Sequence, residues 1–127
     1  MKTKVLSWNI WVDCHFDEIT SFIQESNADI ICLQEVKGND SKRDIISFLK
    51  KLGYNYVFAS TLQTWGEKKY EHGPAVFSKF EIKNSETHML SEQDVRVVAR
   101  ADINVGDQIL HVFSTHLIHT HQKPSEV

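Results

Sequence analysis

The sequence predicts an α/β layered domain with a mixed sheet and two helices near its N-terminus. Three observations predict it. The run Ile30-Ile31-Cys32-Leu33 is apolar without alternation, which is how a strand covered on both faces reads. A segment on each side of it carries an apolar stripe at helical spacing. The second half then breaks into strand-like stretches with no helix period. The composition, 127 residues with 41% hydrophobic and 24% charged, is that of an ordinary globular chain and excludes a fibrous or disordered one. A chain of this length buries roughly two-thirds of its unfolded surface, enough for one core.

Each element has its own signal. Residues 3 to 11 are β-rich. A helix is expected at about 15 to 27, with Phe16, Ile19, Phe22 and Ile23 on one face and Asn27 as a C-terminal stop. Residues 29 to 36 hold the doubly covered strand. A second helix is expected at 42 to 52, with Ile45, Phe48, Leu49 and Leu52 as its stripe and Gly53 ending it. Ser41 followed by Asp44 resembles a capping box at its start. Strands are expected at 54–60, 74–79, 83–90, 95–105 and 108–115, with Gly106-Asp107 as a hairpin turn. Residues 61 to 73 read as a long polar loop. The order βαβα implies a parallel strand pair with a right-handed crossover.

Charge and targeting narrow the function. A net charge of -3 disfavours a generic basic nucleic-acid clamp and leaves room for a local basic patch. The two cysteines, Cys14 and Cys32, have neither CxxC nor zinc-finger spacing and read as reduced thiols. No apolar run approaches the roughly 20 residues of a membrane span. The N-terminus reads as a strand rather than a signal peptide, so a cytoplasmic protein is expected, and the sequon Asn39-Asp40-Ser41 carries no meaning there.

Three polar residues close apolar strands: Asn9, Glu35 and His116. In open α/β sheets the functional cleft lies at the carboxyl ends of strands. Parallel neighbours would put Asn9 and Glu35 on one edge. A carboxylate beside an amide suits Mg²⁺, which takes one or two carboxylates and keeps several waters. A histidine nearby can donate to a phosphoryl oxygen or protonate a leaving group.

Ser7-Trp8-Asn9-Ile10, Asp29 through Glu35, Gly73 through Lys79, and Ser114-Thr115-His116-Leu117 occur in that order. Together they resemble the successive motifs of the endonuclease/exonuclease/phosphatase superfamily, with its deoxyribonuclease I-like fold. The resemblance implies a layered α-β-β-α sandwich. It implies a metal-dependent phosphoester hydrolase: a nuclease, phosphatase or phosphodiesterase. Glu35 would be the carboxylate ligand of Mg²⁺ (or Mn²⁺), and Asn9 would help to hold metal and phosphate oxygens. His116 would face the scissile phosphate, steadied by Glu71. Substrates would be nucleic acid, a phospholipid headgroup or an inositol phosphate. The family's later Asp-x-Asn and Ser-Asp-His motifs do not follow Thr115-His116-Leu117 among these residues. Residues 1–127 are therefore expected to be the N-terminal part of one such domain, inactive alone, with exposed apolar strand surface along Val112 to Thr115.

Two other readings compete. One is a non-catalytic or degenerate binding module. The other is a zinc site built on His116, His119 and His121, although Ile118 and Thr120 break the metallo-β-lactamase register. Arg96 and Arg100 alternate in a strand and face either a phosphate cleft or water. Trp65 either packs against its loop or stacks on a base or lipid headgroup. Neither substrate nor oligomeric state is legible.

Overall fold

The computed structural model describes residues 2–38, 42–91 and 96–117. Two helices and eight strands organise them: β1 (Val5–Asn9), α1 (Phe16–Ser26), β2 (Ile30–Lys37), α2 (Ile45–Lys51), β3 (Asn55–Phe58), β4 (Thr61–Trp65), β5 (Lys68–Ser78), β6 (Ile82–Ser91), β7 (Arg96–Val105) and β8 (Gln108–Thr115). The first sheet runs β1-β2-β5-β3, with β4 paired to the outer half of β5; the second is the meander β6-β7-β8. Only β1 and β2 pair in parallel, so the first sheet is mixed as expected. No helix among the described residues is long and apolar enough to cross a membrane.

Strand β2 lies between two cores, and its alternation sorts them. Ile31 and Leu33 cluster with Ile19 and Ile23 of α1 and Ile45 and Leu49 of α2. Ile30 and Cys32 cluster with Val97, Ala99 and Ala101 of the second sheet. This is why the sequence of β2 shows no polar side. Burial also pushes the Cys32 thiol up to about 11, so it packs as a small apolar group.

The helices end where their caps dictate. Asn27 closes α1 in the left-handed region (φ 49°), as the sequence suggests. Helix α2 begins later than expected. Asp44 is itself the N-cap, its carboxylate accepting from the Ser47 N–H at 3.0 Å; the expected partner Ser41 lies outside the described residues. Strand β1 is shorter than expected, because Trp11 turns into a 3₁₀ segment.

The largest correction concerns residues 61 to 73. They form no loop but a hairpin, β4 against β5, turned at Gly66-Glu67 with Gly66 at φ 64°. Beyond the core both faces of this ribbon meet water, so its strands carry polar residues on both sides and imitate a loop. Apolar exposure is found on β8, where Phe113 is 56% exposed, but not at the buried Ser114.

Gly73 admits the ribbon into the sheet. A Cβ there would lie 2.0 Å from the Ala59 carbonyl oxygen, which belongs to backbone and cannot swing away. Gly73→Ala is expected to destabilise the fold by about 2–3 kcal/mol or more in urea unfolding, with the denaturant slope unchanged.

Candidate functional site

The candidate site grows from an irregularity in β2. Leu33 pairs with Ala75 and Val36 with Gly73, so three steps on β2 oppose two on β5. The extra residue forms a bulge. Glu35 within it has φ 61°, a left-handed conformation uncommon for a side chain of this size. Without the bulge, alternation would send Glu35 to the helix face after Leu33. With it, Val36 returns to the helix core. Gln34 and Glu35 both project toward the second sheet.

Neighbouring polar contacts tie that sheet down at this spot. Buried Ser114 donates through Oγ to the Leu33 carbonyl at 3.1 Å, and Gln34 Nε2 donates to Ser114 Oγ at 3.1 Å. Two residues on, His116 reaches the cleft in front of Glu35. His72, Arg96 and Thr61 complete its polar wall, and Gly73, Pro74 and Val97 close it. The cleft holds about 20 Å³, the room of one water or ion, so a substrate must lie over it rather than inside.

Arg96 contacts His116 Nδ1 through Nη1 at 2.9 Å. A guanidinium only donates, so Nδ1 is the acceptor and the ring's proton sits on Nε2. Arg96 Nε is buried and has no hydrogen-bond partner among the described residues. Burial holds His72 below the ordinary histidine range; His116 and Arg96 push the same way and Glu35 opposes them. Thr61 fixes this strand end by donating to the His72 carbonyl at 3.0 Å.

The structure thus brings Glu35 and His116 together. Asn9 is one strand away, paired with Gln34 and exposed; its Oδ1 accepts from the Trp11 N–H at 3.0 Å. Its side chain lies opposite the helix-facing Leu6 and Trp8, on the face shared with Glu35. Glu71 is placed differently. It alternates with His72 on β5, and a Cβ on Gly38 would lie 2.9 Å from its Oε2, near Phe58 on the helix side. His72 is the residue sequence reasoning passed over. Its signal is the two-residue period of β5, invisible while the segment is read as a loop. Arg100 sits apart from Arg96, bonding Asp102 and facing the Phe113 ring. His119 and His121 lie outside the described residues. Among the described residues no group of three or more His, Cys, Asp or Glu side chains could hold a metal by itself.

The family model described as Endonuclease/Exonuclease/phosphatase family matches residues 6–125. The chain belongs to that family. No curated protein matches it. Among solved structures it resembles an endonuclease/exonuclease/phosphatase from Beutenbergia cavernae DSM 12333, at 18% identity and TM-score 0.79, covering 94% of this chain and 39% of that one. Truncated Caenorhabditis elegans TDP2 matches at 22% identity and TM-score 0.69, covering 94% of this chain and 47% of that one. ANGEL2, a 2′,3′-cyclic phosphatase, matches at 21% identity and TM-score 0.73, covering 91% and 41%. The chain thus spans less than half the length of these structures.

Two measurements check the site's physics. Glu35→Gly removes the cost of a left-handed side chain, so it is expected to leave stability unchanged or raise it by up to about 1 kcal/mol. Val36→Gly, one residue on, is expected to lose several times that in the same urea experiment. His72 also makes stability pH-dependent. With its folded pKa lowered, the unfolded chain binds more protons once pH falls toward the ordinary histidine value near 6.5. Stability should therefore decline as pH drops through that value, and His72→Gln should flatten the decline in melts between pH 7.5 and 5.

Proposed function

We propose that this chain is the N-terminal part of a metal-dependent phosphoester hydrolase domain. Its helix layer and two sheets are three of four layers in an α-β-β-α sandwich. The observation that carries this reading is Glu35, bulged out of β2 to face the Arg96–His116 pair. A strained carboxylate opposite fixed hydrogen-bond donors is an arrangement found at functional sites. Family membership and the fold shared with ANGEL2, a 2′,3′-cyclic phosphatase, support the phosphoester class.

The residues fit a hard divalent cation. Glu35 offers carboxylate oxygens to Mg²⁺ or Mn²⁺, which needs only one or two carboxylates from protein. When bound, such an ion supplies charge neutralisation at the phosphoryl oxygens and leaving group. Asn9, its oxygen engaged by Trp11, offers the amide N–H groups to a phosphoryl oxygen. His116 presents Nε2–H to the phosphoryl or leaving-group oxygen, and Arg96 holds that ring in the donating tautomer. His72 stays neutral at pH 7, so it adds a hydrogen-bonding edge without a second positive charge. Glu71 would act from behind β5 as a support for this wall rather than from within the cleft. The water-activating groups of the family, its Asp-x-Asn and Ser-Asp-His motifs, would come from sequence beyond these 127 residues.

The test is phosphoester hydrolysis with Mg²⁺ or Mn²⁺, screened over DNA, sphingomyelin, inositol phosphates and bis(p-nitrophenyl) phosphate. A chain that also carries those later motifs is expected to turn over. Glu35→Ala or His116→Ala should cost it about 10²–10³-fold. The 127-residue chain alone is expected to show negligible turnover. Robust hydrolysis that Glu35→Ala leaves intact sinks the proposal; phosphate binding without turnover by the longer chain makes the domain a binding module.

A further inference from the structure

The two sheets do not end together on the side of β3. Strands β6 and β7 pack over β3, which is the last strand of its sheet among the described residues. On β6, Ser85, Thr87 and Met89 pair with Ala101, Ala99 and Val97, which fill the core between the sheets. Directly opposed residues share a face, so these three point toward that core. All three are nevertheless exposed, Met89 at 55%. Strand β6 therefore overhangs the first sheet. The space below it is a groove of about 640 Å³ along β3. Val57 and Ile82 give it an apolar floor, Asn55 and Ser85 its polar sides, and Tyr56 and Lys50 its rim on the helix side.

The edge of β3 is ready to pair. The Ala59 N–H donates to the Pro74 carbonyl at 3.0 Å, continuing the register of β3 on β5. In an antiparallel pair, residues that bond their partner alternate with residues that do not. Val57 therefore bonds β5 as well, while Tyr56 and Phe58 turn their N–H and C=O groups outward. Strand β3 carries neither a charged residue nor a proline, the devices that blunt an exposed edge.

We infer that this groove docks an extended peptide of a partner protein, which adds a strand to β3 beneath β6. The outward backbone groups select the occupant, because an extended main chain satisfies both Tyr56 and Phe58. Its side chains alternate. One set lies under β6 against Val57 and Ile82 and is apolar. The other set faces the helix side, where the Lys50 ammonium lies 5.7 Å from the centre of the Tyr56 ring and Lys51 follows it at the end of α2. Acidic residues complement that side. The partner segment is thus an alternation of apolar and acidic residues. The site stands apart from Glu35 and does not depend on the chemistry proposed there.

The experiment selects a random eight-residue peptide library, displayed on phage, against the 127-residue chain. Amide hydrogen exchange is then followed by NMR with the best synthetic peptide. Selected sequences should alternate apolar and acidic residues. The bound peptide should slow exchange at Tyr56 and Phe58 by about tenfold or more, and leave Val57, already bonded to β5, nearly unchanged. Ser85→Arg, which fills the slot beneath β6, should weaken binding by about tenfold or more. Lys50→Glu should weaken the acidic peptide and favour its lysine counterpart. Circular dichroism checks that both variants fold. Failure of every peptide to bind more tightly than about 1 mM overturns the inference. So does equal binding by Ser85→Arg and wild type, or protection at another strand edge in place of Tyr56 and Phe58. Protection of those two amides in the chain alone, with a dimer in sedimentation, would give the edge to a second copy and overturn it too.

Discussion

The site depends on one extra residue in β2. A regular strand could bury Leu33 and Val36 on opposite faces, or the sheet could keep its helix core and bulge. The second arrangement wins because Leu33 and Val36 are both fully buried among the helices. Burying two such side chains stabilises by about 1.5–3 kcal/mol each, more than the roughly 1–2 kcal/mol that one left-handed side chain costs. The residue that absorbs the difference is Glu35. Its strain is held by the packing of Leu33 and Val36 on either side.

From the bulge the rest of the cleft follows by short links. Gln34, turned to the same side, reaches Ser114, and Ser114 also bonds the Leu33 carbonyl. Those two bonds between the sheets fix β8 against β2 just before His116. Arg96 opens β7, whose Val97, Ala99 and Ala101 fill the core between the sheets. The chemistry at the surface is therefore set by apolar packing one or two residues away. The same reasoning explains why Gly73 is needed: the ribbon must pass the backbone of Ala59 to bring His72 to the wall.

The legible parts of this fold were those where local pattern and tertiary burial agree. The apolar run of β2, the stripe of α1 and the Asn27 stop each state in sequence what packing later uses. Asn9, Glu35 and His116 stood out because they end apolar strands. What stayed hidden has a physical reason in each case. Among the described side chains of the ribbon, 61–72, none is fully buried, so they show no hydrophobic alternation to read. The bulge is a compromise between two cores and leaves no mark in the sequence of β2. His72 and the separation of Arg96 from Arg100 depend on both. The start of α2 shows the limit of a motif: Ser41 and Asp44 suggested a pair, whereas Asp44 alone caps the helix through Ser47.

The charges in the cleft add a last constraint. Arg96 contributes one positive charge and Glu35 one negative, while His72 stays neutral at pH 7 and His116 accepts a hydrogen bond at Nδ1. Among the described residues that line it, the wall is thus close to balanced. A phosphodiester brought to it would meet a donor from His116, but also the Glu35 carboxylate across a space of one water. At such separations two negative charges repel by a few kcal/mol at an effective dielectric near 20. A simple anion-binding wall would have no use for that carboxylate, least of all in a conformation that costs energy. On the reading proposed above, it would serve a cation sharing the cleft with the phosphate.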